Sequence, residues 1–339
     1  MSQALYSYLK VTDPSCVIDV AVPKHCAALA EFMPEVRCAI SLEFKHGQFG
    51  FTARRKIGKA LQIQGYRHAI VLPNSWKSAL IPFFARIKKR TGWQGEARFF
   101  LLNDRRKLDK AKYPLMIERF CALAASQGQI LPRQLPYPKF VVDSQKRLQV
   151  QQKYHINLEK PTVALCPGAE FGPAKKWPTH YYAEVADYLL KEQYQVLLFG
   201  SAKDQKTTTE IARHCQNETG LYDLAGKTTL TEAVYLLSLC ESVISNDSGL
   251  MHIACALDVP VIVIYGSTSD RFTPPLNKKA VSVFVDGLDC RPCFKRTCPL
   301  GHFNCMNQLT PKVIIAHFVQ RQQVHAASSG NSQVSLESP

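Results

Sequence analysis

Asn246-Asp247-Ser248-Gly249-Leu250-Met251-His252 joins a strand-like run at 242–245 to a helical run at 250–257, and a second apolar strand follows at 259–265. Small and polar residues at such a turn leave backbone N–H groups unpaired at the helix N-terminus, where the helix dipole also favours negative charge. A turn of this kind is a ready phosphate site. Asp247 by itself does not suit a phosphate, because two anions would share one turn. A carboxylate there suits hydroxyl groups. The stretch as a whole therefore points to a sugar nucleotide, with phosphate and sugar held side by side.

The same alternation extends through the second half of the chain. Strands at 162–166 and 195–199 lead into helices at 181–192 and 204–215, and a helix at 230–239 precedes the 242–245 strand. Strands alternating with helices of this length specify βαβ units and a parallel sheet. The first half is less regular, with strand-like pieces at 17–22 and 68–72, each followed by a helical pattern, at 25–33 and 76–88. At 339 residues the chain exceeds what one small core holds. The expected fold is α/β, with two Rossmann-like domains, 1–155 and 156–323, facing across a cleft. A disordered Ser/Gly/Gln-rich tail is expected at 324–339. The polar, Gln-rich segment 143–160 is the expected linker or linking helix. Ligands of open parallel sheets bind beyond the carboxyl ends of the strands. That rule singles out the loops 167–178, 200–203, 246–252 and 266–275.

The formal charge of +15 is concentrated in the first third, where 17 Lys/Arg stand between Lys45 and Lys112 against three acids, Glu96, Asp104 and Asp109. Such a segment fits an anionic partner: nucleic acid, a phosphorylated membrane surface or a phosphorylated substrate. A solvated basic surface is the plainer reading. Nucleic acid is disfavoured, because no helix-turn-helix or interleaved aromatic signature accompanies the charge. No run of about 18 apolar residues is present to span a membrane. Residues 1–10 lack the pattern of a signal peptide, so a cytoplasmic chain with thiol cysteines is expected.

The loop 167–178 reads Pro-Gly-Ala-Glu-Phe-Gly-Pro-Ala-Lys-Lys-Trp-Pro. Its glycines permit close backbone approach, and Lys175 and Lys176 could neutralise a pyrophosphate as point charges. Read blandly, it is a surface loop with solvated lysines and a core-anchoring Trp177. Glu232 stands three residues after Thr229, the spacing of a capping box, so plain helix capping competes with ligand contact. His252 falls on the first turn of its helix, where a core histidine is the bland alternative.

Together these residues bring a family into view. PGAEFGPAKKWP at 167–178, LAGKTTLTEAVYLL at 224–237, NDSGLMHIACAL at 246–257 and YGSTSDRFTPP at 265–275 resemble the bacterial ADP-heptose:lipopolysaccharide heptosyltransferases of glycosyltransferase family 9, in particular the heptosyltransferase II type. In the first half LPNSWKSAL at 72–80, RTGW at 90–93 and LLNDRR at 101–106 resemble it too. The resemblance covers residues 1–320. It implies a GT-B fold and an inverting, metal-independent transfer of L-glycero-D-manno-heptose from ADP-heptose to the first heptose of the lipopolysaccharide inner core, on its Kdo–lipid A anchor. It implies a donor site of Gly168, Glu170, Lys175, Lys176, Glu232, Asp247, Ser248, Gly249 and His252. Within it, Lys175 serves the phosphate side, Glu232 the ribose, and Asp247 the heptose hydroxyls. Lys175 and Asp247 are the expected catalytic pair in this chain. The basic first third would then meet a polyanionic acceptor, with Asn74, Ser75, Lys77, Arg90 and Arg105 as acceptor candidates and Arg106 beside them. The implied place is the cytoplasmic face of the inner membrane, without a transmembrane segment.

Two features stand apart from the resemblance. In the family the chain opens with a β-strand and a Gly-Asp turn whose Asp is the expected general base. Here residues 1–6 read as the helix that follows that turn, so the strand and the base are expected to lie upstream of Met1. Second, Cys290, Cys293, Cys298 and Cys305 stand within 16 positions, with His302 among them. Paired short spacings suit a structural zinc or iron–sulfur site, and a loop of free thiols is the alternative. No cofactor is expected to be required for the reaction. Two other readings keep the fold: a further GT-B enzyme such as a nucleotide-sugar epimerase, and a non-catalytic sugar-nucleotide-binding paralogue.

Overall fold

The computed structural model of the chain describes residues 1–44 and 47–330. These fall into two units that divide between Pro138 and Lys139. The helix Ser144–Lys153, expected as the linking element, thus opens the second unit, its N-terminus capped by the Asp143 carboxylate on the N–H groups of Gln145 and Lys146.

The second unit carries six strands: β6 (Thr162–Cys166), β7 (Gln195–Leu198), β8 (Leu221–Asp223), β9 (Ser242–Asn246), β10 (Val261–Ile264) and β11 (Val281–Val283). All pair in parallel, in the order β11-β10-β9-β6-β7-β8. The residues of β6, β7, β9 and β10 are all buried. This is why those segments read as continuous apolar runs and not as alternation. The chain runs outward from β6 to β8, returns to β9 on the other side of β6, and then runs outward again. The order therefore reverses between β6 and β9, and the loops leaving these two strands diverge there. Trp177 closes the first loop from beneath. It is 2% exposed, donates its indole N–H to the Leu309 carbonyl at 2.7 Å, and packs among Val163, Leu165, Tyr182 and Ile264.

The first unit begins with the helix Gln3–Thr12 and holds two parallel sheets. One pairs β1 (Ile18–Pro23) with β2 (Val36–Leu42). The other orders β3 (His68–Val71), β4 (Lys89–Trp93) and β5 (Asp104–Arg106). Among the described residues no ladder joins the two. Side chains do bridge them: Ile70 and Leu72 pack into the cluster of Leu5, Tyr6 and Val20.

Several expectations for this half are corrected. The helix expected at 76–88 is a 3-10 turn, Trp76–Ala79, followed by a short helix, Leu80–Phe84. Arg86 then turns left-handed at φ 53°, and the chain enters β4. The segment at 25–33 is one short helical turn, Lys24–Ala27, continued as a 3-10 helix to Phe32. At the other end the helix Pro311–Gly330 carries residues 324–330, which were expected in a disordered tail. Residues 331–339 of that tail lie outside the described residues.

Replacing Trp177 should be felt throughout the second unit. Trp177→Ala removes the largest fully buried side chain and leaves the Leu309 carbonyl without its donor. It is expected to lower unfolding stability by about 3–5 kcal/mol, read as a fall in the urea midpoint. A shift under about 1 kcal/mol, within the range of a well-tolerated core swap, would contradict this placement.

Candidate active site

Three loops meet at the point where the strand order reverses. Lys175 comes from the loop after β6, at the end of the 3-10 turn Pro173–Lys175. Asp247 follows β9 directly, and Thr268 lies in the loop after β10. Lys175 Nζ stands 2.5 Å from Asp247 Oδ2 and 3.3 Å from the Asp247 carbonyl. The Thr268 hydroxyl donates to the same Oδ2 at 2.7 Å. The lysine and aspartate side chains are only 12% and 6% exposed. Both contacts fall on Oδ2, so Oδ1 keeps no hydrogen-bond partner among the described residues.

The turn is fixed from below by its first residue. Asn246 is fully buried, donates through Nδ2 to the Pro167 carbonyl at 2.7 Å, and accepts from the Tyr182 hydroxyl at 3.0 Å. One side chain thus ties the end of β9 to the start of the β6 loop. Ser248 precedes the helix Gly249–Ala256 in an extended conformation and makes no side-chain cap. A Cβ built on Gly249 would meet nothing within 4 Å. The Ser248 side chain does not cap the first N–H groups of this helix, an arrangement that leaves them for an anion. His252 lies on the same helix, and loss of solvent around the ring pushes its imidazole down to about 4. It is neutral at physiological pH, able to donate a hydrogen bond but not a charge.

The glycines of these loops are spent on close packing. A Cβ at Gly168 would come within 2.9 Å of Asp204 Oδ2, and one at Gly172, at φ 152°, within 2.5 Å of the Arg296 carbonyl. Phe171 lies between two cations, with Lys175 Nζ 5.1 Å and the Arg296 guanidinium 5.6 Å from its ring centroid. Glu170 pairs with Lys203 at 2.8 Å on the surface, where both side chains are at least three-quarters exposed. Lys176 is half-buried and next to Lys175.

Glu232 is engaged before any ligand arrives. It completes the capping box with Thr229 at the start of the helix Leu230–Leu237. It also accepts from Lys153 Nζ at 2.5 Å and from the Tyr154 hydroxyl at 3.2 Å. Burial raises its pKa, but hydrogen bonds from Lys153, Thr229 and Tyr154 outweigh that and bring it down to about 2. The sequence reading found the cap and missed Lys153 and Tyr154, which come from 78 or more residues away. Thr268, Asn246 and Phe171 lie in loops that the sequence singled out but were not named as site residues, and Tyr182, which holds Asn246, was not singled out at all. Glycines, lysines and an aspartate draw attention in a sequence, whereas groups that orient them show only in three dimensions.

The acceptor candidates lie in the first unit and differ among themselves. Asn74 is exposed; Ser75 precedes the turn Trp76–Ala79 and caps nothing with its side chain. Lys77 reaches the Gln48 carbonyl at 3.4 Å. Arg90 is committed to main-chain carbonyls, Leu101 at 2.7 Å and Ile87 at 2.6 Å. Arg105 is exposed over the Phe99 ring at 4.3 Å. Arg106 is 7% exposed and binds the carbonyls of Ala122 and Ala125 as well as Asp104. Its guanidinium staples its sheet to the segment that carries Ala122 and Ala125.

The four clustered cysteines are free thiols, and together with His302 they line one cavity of about 20 Å³. Backbone N–H groups around Phe303 lower the Cys298 pKa, while burial and then the three neighbouring thiols raise that of Cys305. Among the described residues no group of three or more His, Cys, Asp or Glu side chains is placed to hold a metal ion. The expected zinc quartet is therefore not a preassembled ligand set.

A parallel α/β sheet with a cation and a carboxylate at its switch point fits the GT-B class. The comparisons place it further. Residues 54–304 match glycosyltransferase family 9 (heptosyltransferase), and the chain belongs to that family. It is 47% identical over 287 residues to lipopolysaccharide heptosyltransferase 2 of Salmonella typhimurium, covering 83% of this chain and 82% of that one. It is 46% identical over 294 residues to lipooligosaccharide heptosyltransferase 2 of Haemophilus influenzae, covering 84% of each. The solved ADP-heptose lps heptosyltransferase II of E. coli superposes with a TM-score of 0.86 at 40% identity, over 96% of this chain and 95% of the other. A family 9 glycosyltransferase from Veillonella parvula shares the fold at a TM-score of 0.82 and 18% identity, over 95% and 93%.

The depressed Glu232 carboxyl predicts a pH dependence. Its folded pKa of about 2 lies below its ordinary 4.5, so its contribution to stability is complete above 4.5 and is lost as pH falls towards 2. Glu232→Gln should flatten the unfolding midpoint across that window relative to the unaltered protein. Parallel pH profiles for the two would contradict the ionised cap.

Proposed function

We propose that this chain transfers heptose from ADP-heptose to a heptose of the lipopolysaccharide inner core, with inversion at the anomeric carbon. The observation that carries the reading is the Lys175–Asp247 pair at the switch point, beside an uncapped helix N-terminus. The relatives at 46–47% identity are named for heptosyl transfer to lipopolysaccharide or lipooligosaccharide.

The division of labour follows from charge. The helix N–H groups at Gly249 and the Lys175 ammonium take the pyrophosphate. When the acceptor hydroxyl replaces ADP at the anomeric carbon, new negative charge settles on the β-phosphate. Preorganised donors aimed at that charge lower the barrier. Asp247 keeps Oδ1 for the sugar hydroxyls while Lys175 and Thr268 hold Oδ2. A protein cation already at the leaving group supplies the neutralisation that a divalent metal provides elsewhere, so the reaction is read as needing no cofactor. Gly168, Lys176, Ser248 and His252 complete the donor side, and Glu170, paired with Lys203 on the surface, sits at its edge. Glu232 offers the ribose a carboxylate that Lys153 and Tyr154 already orient. The acceptor falls to the basic first unit, at Asn74, Ser75, Lys77 and Arg105. Its Kdo carboxylates and lipid A phosphates match that unit's charge. The place of action that goes with such an acceptor is the cytoplasmic face of the inner membrane, reached peripherally; no described helix is long and apolar enough to cross a bilayer.

An assay of ADP release with a heptose-terminated core acceptor tests this directly. Lys175→Ala is expected to lower kcat by about 10²–10³, the scale for losing one preorganised charge-stabilising group. Asp247→Asn should reduce kcat/KM for the heptose donor with little change in fold. Unaltered rates in both variants, or ADP release without a new glycosidic bond in the product, would reject the assignment.

A further inference from the structure

The first unit exposes aromatic surface that a water-soluble face has no reason to carry. Phe49 stacks on Trp76 with centroids 5.8 Å apart and on Phe51 at 6.1 Å. Phe51 meets Phe84 edge-on at 5.5 Å, and Phe84 meets Phe83 at 5.5 Å. The Arg90 guanidinium lies 5.7 Å from the Phe83 ring and reaches the Leu101 carbonyl. The segment that bears Phe99 and Phe100 adjoins this row through Leu101 and Leu102, which share a core cluster with Trp76 and Phe84. Phe49, Phe51 and Phe83 are each at least 38% exposed, Phe99 is 58% and Phe100 89% exposed.

The Phe99-Phe100 tip is held out, not left loose. On one side Arg98 is 1% exposed and binds the carbonyls of Pro73, at 2.7 Å, and Trp93, with the Ser78 hydroxyl at 3.4 Å. On the other side Leu101 and Leu102 are buried beside Val71 and Leu80. A buried arginine and two buried leucines bracket two solvent-facing phenylalanines, so their exposure is built into the fold. Contiguous exposed apolar surface of this kind marks an interaction site.

The charge around the row selects the occupant. From 47 to 103 the chain carries eleven Lys/Arg and one acid, Glu96, whose carboxylate accepts from the Trp76 N–H at 2.6 Å. Lys56, Lys59, Arg86, Lys88 and Lys89 are all exposed. Exposed aromatic rings on so cationic a segment are what an anionic bilayer surface binds: the rings enter the headgroup boundary and the cations meet lipid phosphates. We propose that this face, with Phe99 and Phe100 at its tip, docks the protein on the anionic surface of a phospholipid bilayer. The proposal rests on the functional reading above, because a lipid-anchored acceptor presents its sugars only at such a surface.

The test is co-sedimentation of the full chain with phosphatidylethanolamine–phosphatidylglycerol vesicles, against phosphatidylcholine vesicles. The unaltered protein should bind the anionic vesicles and lose binding as salt rises. Phe100→Ser should weaken partitioning about tenfold or more from lost apolar burial, and Lys88→Glu should weaken it and reduce the salt dependence. All should keep the unaltered melting temperature and the same rate on a delipidated core acceptor. Equal partitioning of Phe100→Ser and the unaltered protein overturns the proposal, as does equal binding to both vesicle types. A raised KM for the delipidated acceptor with vesicle binding intact would assign the rings to the glycan and overturn it as well. Failure of the unaltered protein on that acceptor would instead strike the functional reading and leave vesicle binding as a separate result.

Discussion

The second unit is organised around two opposite charges held out of water where its sheet reverses direction. A buried ion pair is a poor source of stability, because desolvating both groups cancels most of their attraction. Its persistence between Lys175 and Asp247, with side chains 12% and 6% exposed, therefore calls for another reason. Breaking it by removing one partner would leave the other charge stranded, so the pair also locks three loops together. The loop after β6 supplies the lysine, that after β9 the aspartate, and that after β10 the Thr268 hydroxyl. Asn246 fixes the first two from underneath through Pro167 and Tyr182. Entry of a pyrophosphate gives Lys175 a second anion, and entry of a sugar gives Asp247 a set of hydroxyls. The pair is a placeholder for the ligand that divides it.

Much of this half was legible in the sequence because its strands are buried on both faces. Runs such as Thr162–Cys166 and Val261–Ile264 contain few polar residues and end at turns that announce themselves by Gly, Ser and Asp. Lys175, Asp247 and Gly249 were read from residue type and position, and the structure brings all three to one end of the sheet. Long-range partners were not legible. The cap of Glu232 by Thr229 is local and was read; its hold by Lys153 and Tyr154 depends on a helix far away in sequence. The short strands β8 and β11 passed unnoticed because three residues each give no period to read.

The first unit was harder for a physical reason. Its arginines and lysines look solvated in the sequence, yet Arg98 and Arg106 are buried and donate to main-chain carbonyls. A basic segment read as surface is thus in part a set of internal staples. Arg98 brackets the outward-facing Phe99 and Phe100 on one side, so burying a cation and exposing rings are two sides of one arrangement. The cysteines make a similar point: spacing suggested a metal quartet, while the thiols share a small cavity without a preassembled ligand geometry among the described residues.

In the proposed site Lys175 serves the phosphates and Asp247 the sugar. Isothermal titration of ADP and of ADP-heptose into Lys175→Ala and Asp247→Ala separates the two roles. Lys175→Ala should weaken both ligands by about tenfold or more, the scale for a lost hydrogen bond to a charged group. Asp247→Ala should weaken ADP-heptose but leave ADP unchanged or tighter, since it frees the lysine from its present partner. Equal losses for ADP in the two variants, or none in either, would contradict the division.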